Sequence, residues 1–102
     1  MKILAIEQNV VGVTDAEFTP ELLEEEAAQA WELHQTGVIR ELYFRADRKM
    51  AVMMLECPNV EGANAVLSTL PLMRRRLIDF DVIPLSSYDG FARLFKSQLT
   101  EK

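Results

Sequence analysis

The side chains best suited to proton transfer are one histidine and a small set of carboxylates. His34 is the only histidine in the 102-residue sequence, and imidazole has the ordinary pKa closest to neutrality. Asp79 and Asp81 share one face of a predicted strand, where a covered aspartate would gain a raised pKa and act as a base. We predict His34 and Asp81 as proton carriers. The alternatives are a histidine satisfied by a backbone carbonyl and a pair of aspartates that keeps an edge strand from associating.

Arg40 is the predicted cation. It lies among apolar residues of a predicted strand, on the face of Val38, Leu42 and Phe44, and burying an unpaired guanidinium is costly. Arg40 would bind a substrate carboxylate through two parallel hydrogen bonds. The alternative is an ion pair with Asp79, Asp81 or Glu56.

Tyr43 and Trp31 are the predicted substrate-contacting aromatics. Tyr43 would line a pocket and donate from its hydroxyl group, or else pack at an interface with one end in water. Glu7 and Glu56 each end an apolar strand, which suggests that they converge at one end of the sheet.

Composition excludes several functional classes. One histidine and one cysteine make no metal-ligand set, four scattered glycines form no phosphate-binding loop, and we predict no cofactor. Residues 1–36 carry eight acids and one base, and the only basic cluster is Arg74–Arg76, so nucleic-acid binding is not expected. No run approaches the ~20 apolar residues of a membrane span. The lone Cys57 forms no internal disulfide, which favours the cytoplasm.

The periodicity predicts one domain with the order β-α-β-β-α-β. Thr19-Pro20 begins the first helix and Gly37 ends it, while Asn59 caps the second helix and Pro71 ends it. This is the ferredoxin-like arrangement, an α+β fold with one antiparallel sheet and two helices on one face, followed by a short C-terminal helix (Phe91, Leu94, Phe95). The predicted strands cover residues 2–8, 38–46, 50–56 and 77–84.

The first helix has an apolar stripe at helical spacing. Glu24–Glu26 lie largely off that stripe and are interpreted as a solvated face. The stripe consists of Leu23, Ala27, Ala30, Trp31 and His34.

The strands are apolar on both faces, although two helices cover only one. An exposed apolar face of that size marks an interface. We therefore expect a homodimer or higher homo-oligomer formed through the sheet face, a dimeric α+β barrel. The alternative is a monomer whose C-terminal helix folds under the sheet.

Several short motifs resemble the muconolactone isomerase family. They are a helix ending at Gly37, the strand Arg40-Glu41-Leu42-Tyr43-Phe44-Arg45, a strand ending in Glu56 before Pro58, and Leu67-Ser68-Thr69-Leu70-Pro71-Leu72. The resemblance spans roughly residues 20–85 and implies a small cytoplasmic protein with a pocket near a dimer interface. In such proteins a carboxylate, histidine or tyrosine moves a proton on a lactone without metal or cofactor, and a cation or hydrogen-bond donor holds the charge.

Two other functions stay open. A non-catalytic dimer would bind a small molecule or a protein in a pocket without a perturbed carboxylate or histidine. A cofactor-free monooxygenase acting on an electron-rich substrate would need a larger cavity where Trp31, Tyr43, Phe44 and Phe80 converge.

Overall fold

The structure, a computed structural model, describes residues 1–95. Within these residues four antiparallel strands form one sheet: β1 (Lys2–Asn9), β2 (Ile39–Phe44), β3 (Ala51–Glu56) and β4 (Ile78–Pro84). Their order across the sheet is β2-β3-β1-β4. This strand order confirms the ferredoxin-like α+β prediction.

Three helices accompany the sheet. They are α1 (Pro20–Gln35), α2 (Val60–Leu67) and the short α3 (Pro71–Arg74). A 3₁₀ turn covers Asp15–Glu17, and a 3₁₀ segment covers Gly90–Phe95. Thr19 Oγ1 accepts from Leu22 N at 3.2 Å and Asn59 Oδ1 accepts from Gly62 N at 2.8 Å, so both predicted N-caps are confirmed.

Two helices are followed by a residue in the left-handed backbone conformation, with positive φ. Gly37 has φ 83° and follows α1, where Val38 N donates to Leu33 O. This is a Schellman end and confirms Gly37 as the stop. Arg76 has φ 59° after α3, with Leu77 N bonded to Leu72 O in the same pattern. Pro71 begins α3 as well as following α2, because proline suits the first helical position.

The core lies between the helices and one face of the sheet. Ile3, Ala5, Met53 and Leu55 from the central strands are almost completely buried. The other face carries Leu4, Ile6, Val52, Met54 and Ile83, all only partly exposed. Phe91, Leu94 and Phe95, the residues that the monomer alternative places under the sheet, are largely exposed and do not shield that face.

The apolar stripe predicted for α1 faces the sheet, because all five of its residues border the space between α1 and the sheet, but only Ala30 among them packs on the core. The side chains that pack on the core are Leu22, Ala30 and Leu33, whereas Leu23 and Trp31 are exposed. Glu26 lies between Leu22 and Ala30 on the inner face and is partly buried. A glutamate within this inner row breaks its apolar pattern, so the sequence indicates the neighbouring row instead.

Glu7 and Glu56 lie at opposite ends of the sheet, so their predicted convergence is wrong. β1 and β3 are antiparallel, and Glu56 pairs with Lys2 at the start of β1. The Glu56 carboxylate binds the N-terminal ammonium group, which lowers its pKa. Glu7 lies six residues from Met1, at the end where β3 begins.

Candidate functional site

A cavity of about 900 Å³ opens between α1 and the inner face of the sheet. Its floor is formed where β1 and β2 end and β3 and β4 begin, a common position for a site because several elements converge there. The lining is mainly apolar and aromatic. Its polar members are Glu7, Asn9, Asp15, Glu26, His34 and Lys49.

Glu7 and Glu26 are the two partly buried carboxylates of this cavity. Glu7 Oε1 accepts from Ala51 N at 2.8 Å, and Glu26 Oε1 accepts from Leu72 N at 2.9 Å. These hydrogen bonds hold the carboxyl groups in place although they lie on different elements. Both backbone donors belong to residues where a strand or helix begins.

Burial raises the pKa of both carboxyl groups. For Glu7 the loss of water outweighs the opposing effect of the Ala51 N–H. For Glu26 burial is again the largest cause, and the charge of Glu7 raises its pKa further. The Leu72 N–H and Arg74 oppose that rise. Both carboxyl groups therefore bind a proton more readily than an exposed glutamate does.

His34 lies at the cavity mouth beside Trp31. Its Nδ1 lies 3.0 Å from Ile39 O, so Nδ1 must carry the proton and Nε2 is left free in the neutral ring. The two rings lie 5.9 Å apart. Trp31 and His34, both predicted as site residues, therefore lie at the cavity. His34 also bonds to a backbone carbonyl, as the alternative interpretation of this residue proposed.

Arg40 lies outside the cavity, and the face predicted for it on β2 is wrong. Leu42 and Phe44 do share one face, and Glu41 and Tyr43 the other. A bulge between Ile39 and Glu41 shifts the register, so Ile39 joins the inner face and Arg40 becomes the extra, exposed residue. Its Nε donates to Gly37 O at 2.6 Å. The apolar neighbours inferred from strand alternation are therefore absent from its surroundings.

Asp81 and Tyr43 are also placed away from the carboxylate pair. Asp81 is exposed on β4, an edge strand, which favours the edge-protection alternative. Tyr43 reaches the cavity rim but pairs with Val52 on the open face, and its hydroxyl donates to Glu41 Oε1 at 2.8 Å. That bond raises the Tyr43 pKa.

Lys49 is the cavity's lysine and was not singled out in the sequence. Its Nζ lies 5.5 Å from the centre of the Phe44 ring, a cation–π distance. Glu26 was also missed, because it was assigned to a solvated run. A signal for Glu26 was available in its spacing from Leu22 and Ala30, which places all three on one helix face.

Residues 1–95 contain neither a group of metal ligands nor a helix that could cross a membrane. No three His, Cys, Asp or Glu side chains in that range are grouped closely enough to hold a metal ion. No helix there is both long and apolar enough to cross a membrane.

The fold and the cavity define a ferredoxin-like α+β protein with a carboxylate-bearing site between its first helix and its sheet. The family model for muconolactone delta-isomerase matches residues 4–90, and the chain belongs to that family. A crystal structure of muconolactone isomerase at 3.3 Å resolution is similar in fold, with a TM-score of 0.70 and 24% identity over 87% of this chain and 92% of that one. A search of the curated proteins finds no match.

Proposed function

We propose that this protein is a cofactor-independent isomerase that moves a proton on a small lactone or another carboxylated metabolite. The observation that carries the proposal is the Glu7–Glu26 pair, two carboxyl groups with raised pKa in a largely apolar cavity. A carboxylate with a raised pKa is a stronger base than an exposed one, which suits proton abstraction near neutral pH.

The pair divides into a base and an acid. We assign the acid role to Glu26, because burial and then the charge of Glu7 raise its pKa, so that it binds a proton more readily than an exposed glutamate. Ionised Glu7 removes a proton from a carbon beside the substrate's double bond, and the electron pair spreads to the lactone carbonyl oxygen. Glu26 donates a hydrogen bond to that oxygen, where negative charge develops. Return of the proton to the far end of the allylic system moves the double bond, with no net proton consumed.

Two further groups complete the proposed site. Lys49 at the rim binds the substrate carboxylate, the role that the sequence suggested for Arg40. His34, with Nε2 free, remains the second proton carrier at the mouth. Asp81 is left out because its strand position faces away from the cavity.

Muconolactone in deuterated buffer tests this function by proton NMR. We expect the double bond to shift and deuterium to enter the ring. Glu7→Gln and Glu26→Gln each keep an oxygen for the backbone bond and should lower turnover by about 10²–10⁴-fold. The exposed Glu25→Gln on the same helix is the matched control. A folded protein that produces neither shift nor exchange would refute the proposal for this substrate.

A cofactor-free monooxygenase is the second candidate. The observation that favours it is that Trp31, Tyr43, Phe44 and Phe80 all line the cavity. Oxygen uptake with an electron-rich hydroxyaromatic compound, compared between the protein and buffer alone, distinguishes it from the isomerase. An enzyme-dependent uptake without lactone turnover would move this candidate ahead.

We also propose a homodimer formed through the open sheet face. The support is the set of partly exposed apolar side chains on the central strands β1 and β3, since an apolar sheet face in water favours association. Light scattering at micromolar concentration should give a dimer or larger assembly, and Val52→Asp should lower the mass. A monomeric parent chain would contradict this proposal.

A further inference from the structure

Four side chains form one row across the inner face of the sheet, one from each strand. Phe44 pairs with Ala51 between β2 and β3, and Glu7 pairs with Phe80 between β1 and β4. The register between β1 and β3, continued by one residue, places Glu7 opposite Ala51. All four residues line the cavity. The order across the cavity floor is therefore Phe44, Ala51, Glu7 and Phe80.

Ala51 is the small side chain of this row. Adjacent strands lie about 4.8 Å apart, so the backbones of Phe44 and Glu7 are about 10 Å apart with one methyl group between them. Side chains directly opposite each other on one face of a sheet normally touch. Here Phe44 and Glu7 instead border a notch, and the methyl group of Ala51 is the floor of that notch.

The carboxyl group of Glu7 lies beside this notch because the backbone of Ala51 holds it there. Ala51 N donates to Glu7 Oε1 at 2.8 Å. Within residues 1–95, Glu7 Oε2 makes no hydrogen bond, so this second oxygen is available to a bound molecule. A ring that rests on the Ala51 methyl group is therefore next to the free oxygen of the proposed base.

The other side of the notch carries a positive charge. Lys49 Nζ lies 5.5 Å from the centre of the Phe44 ring, and both residues line the cavity. A molecule that lies across the notch meets a carboxylate on the β1 side and an ammonium group on the β2 side. A ring with a short carboxylate arm matches this arrangement, with the ring above Ala51 and the arm directed to Lys49.

We propose that Ala51 determines the size of the ring that reaches Glu7. The lactone ring of the substrate rests on the Ala51 methyl group, between the side chains of Phe44 and Glu7. This inference rests on the proposed isomerase function and adds to it a specificity-determining residue, which acts through its size and transfers no proton.

Ring size is the property that such a notch selects. A pocket without space for an extra methylene group discriminates against it by about tenfold or more. Valine at this position would add two carbon atoms to the floor, whereas glycine would remove one. Both substitutions keep the backbone N–H that holds the Glu7 carboxyl group.

Two saturated lactones with a carboxymethyl arm, one with a five-membered and one with a six-membered ring, test the proposal by titration calorimetry. Neither has a double bond to move, so binding is measured without turnover. Ala51→Val should raise the Kd of the five-membered lactone by about tenfold or more. Ala51→Gly should lower the ratio of the Kd of the six-membered lactone to that of the five-membered lactone by about fourfold, since it frees the space of about one methylene group.

The matched control is Val52→Ile, which adds a methylene group to the next residue of β3, on the opposite face of the sheet. It should leave both Kd values unchanged. Thermal unfolding shows whether each variant is folded. If Ala51→Val does not fold, the ratio in Ala51→Gly decides alone, because that variant only removes a methyl group.

Three results would overturn the inference. They are unchanged Kd values in folded Ala51→Val, an unchanged ratio in Ala51→Gly, and a parent chain that binds neither lactone. Turnover of muconolactone by the parent chain is measured separately. Turnover with Kd values that do not respond to Ala51 substitutions would leave the isomerase standing without this role. Binding that responds to them, without turnover, would support the role of Ala51 and refute the isomerase for this substrate.

Discussion

Glu7 and Glu26 lie close enough across the cavity for the charge of Glu7 to raise the pKa of Glu26. One side chain comes from the end of β1 and the other from the second turn of α1, and each is anchored by a backbone N–H. Two partly buried carboxyl groups that repel each other destabilise a fold at neutral pH. Their presence in the core-facing layer is consistent with a functional demand.

Removing one of these charges should therefore stabilise the protein. Glu26→Gln keeps an oxygen for the Leu72 N–H and replaces a partly buried carboxyl group, whose charged form burial disfavours, by a neutral amide. We expect the free energy of unfolding at pH 7 to rise by up to about 1 kcal/mol, a figure kept low because the carboxyl group is partly exposed. Urea denaturation measures the change, with the exposed Glu25→Gln as control. A clear loss of stability would contradict the role assigned to burial.

The pH dependence of stability has a definite sign. The pKa values of Glu7 and Glu26 lie above the ordinary value of 4.5, so the native state binds more protons than the unfolded chain in the interval between them. Their contribution to stability is complete below 4.5 and is lost as the pH rises through the native pKa values.

The double variant Glu7→Gln/Glu26→Gln isolates that contribution. Unfolding free energies of the parent and the variant are measured from pH 4 to pH 8, and the parent should lose stability relative to the variant as pH rises. Other groups, such as Glu56 with its lowered pKa, cancel in this difference. Parallel curves would show that neither carboxyl group titrates abnormally.

Substitutions of Lys49 and Arg40 should differ in their effect on anion binding. Lys49 lines the cavity, whereas Arg40 is exposed and bonded to Gly37 O. Lys49→Ala should weaken binding of a small carboxylate such as muconolactone by about fivefold, the loss of one exposed charge pair of roughly 1 kcal/mol. Arg40→Ala should leave the Kd unchanged in titration calorimetry. The reverse pattern would restore Arg40 as the anion anchor.

Substitution should change the stability of the protein in opposite directions at Gly37 and Arg76, the two residues with left-handed backbone that follow helices. Gly37→Ala places a Cβ at φ 83° and should cost about 1 kcal/mol, although that Cβ would meet only the Arg40 Nε, at an ordinary contact distance of 3.9 Å. Arg76→Gly, at φ 59°, relieves the same penalty and should raise stability by about 0.5 kcal/mol after the added unfolded-state entropy. Thermal unfolding of both variants measures this. If both variants changed stability in the same direction, side-chain contacts rather than backbone conformation would determine the effect at one of the two positions.

His34 should be found with its proton on Nδ1. That nitrogen lies 3.0 Å from Ile39 O, and a carbonyl oxygen only accepts hydrogen bonds. A long-range proton–nitrogen NMR spectrum reports the tautomer directly, and the single histidine makes the assignment unambiguous. A neutral ring protonated on Nε2 would show that the hydrogen bond is absent in solution.

Local sequence signals determined most of the fold. Thr19-Pro20 and Asn59 begin helices, Gly37 ends one, and the strand runs before and after Asp47–Lys49 form the predicted hairpin. Such signals are local because a cap or a turn depends on only a few neighbouring residues. The order of these elements then defined the ferredoxin-like topology.

Only the tertiary structure decided which side chains meet. The bulge at Arg40 placed Ile39 on the inner face and left Arg40 exposed, and no local pattern marked it. Antiparallel pairing separated Glu56 from Glu7, while the packing of α3 against α1 gave Glu26 a backbone donor 46 residues away. Strand register and helix rotation depend on contacts between distant segments, so the sequence predicted His34 and Trp31 at the cavity but missed its central carboxylate pair.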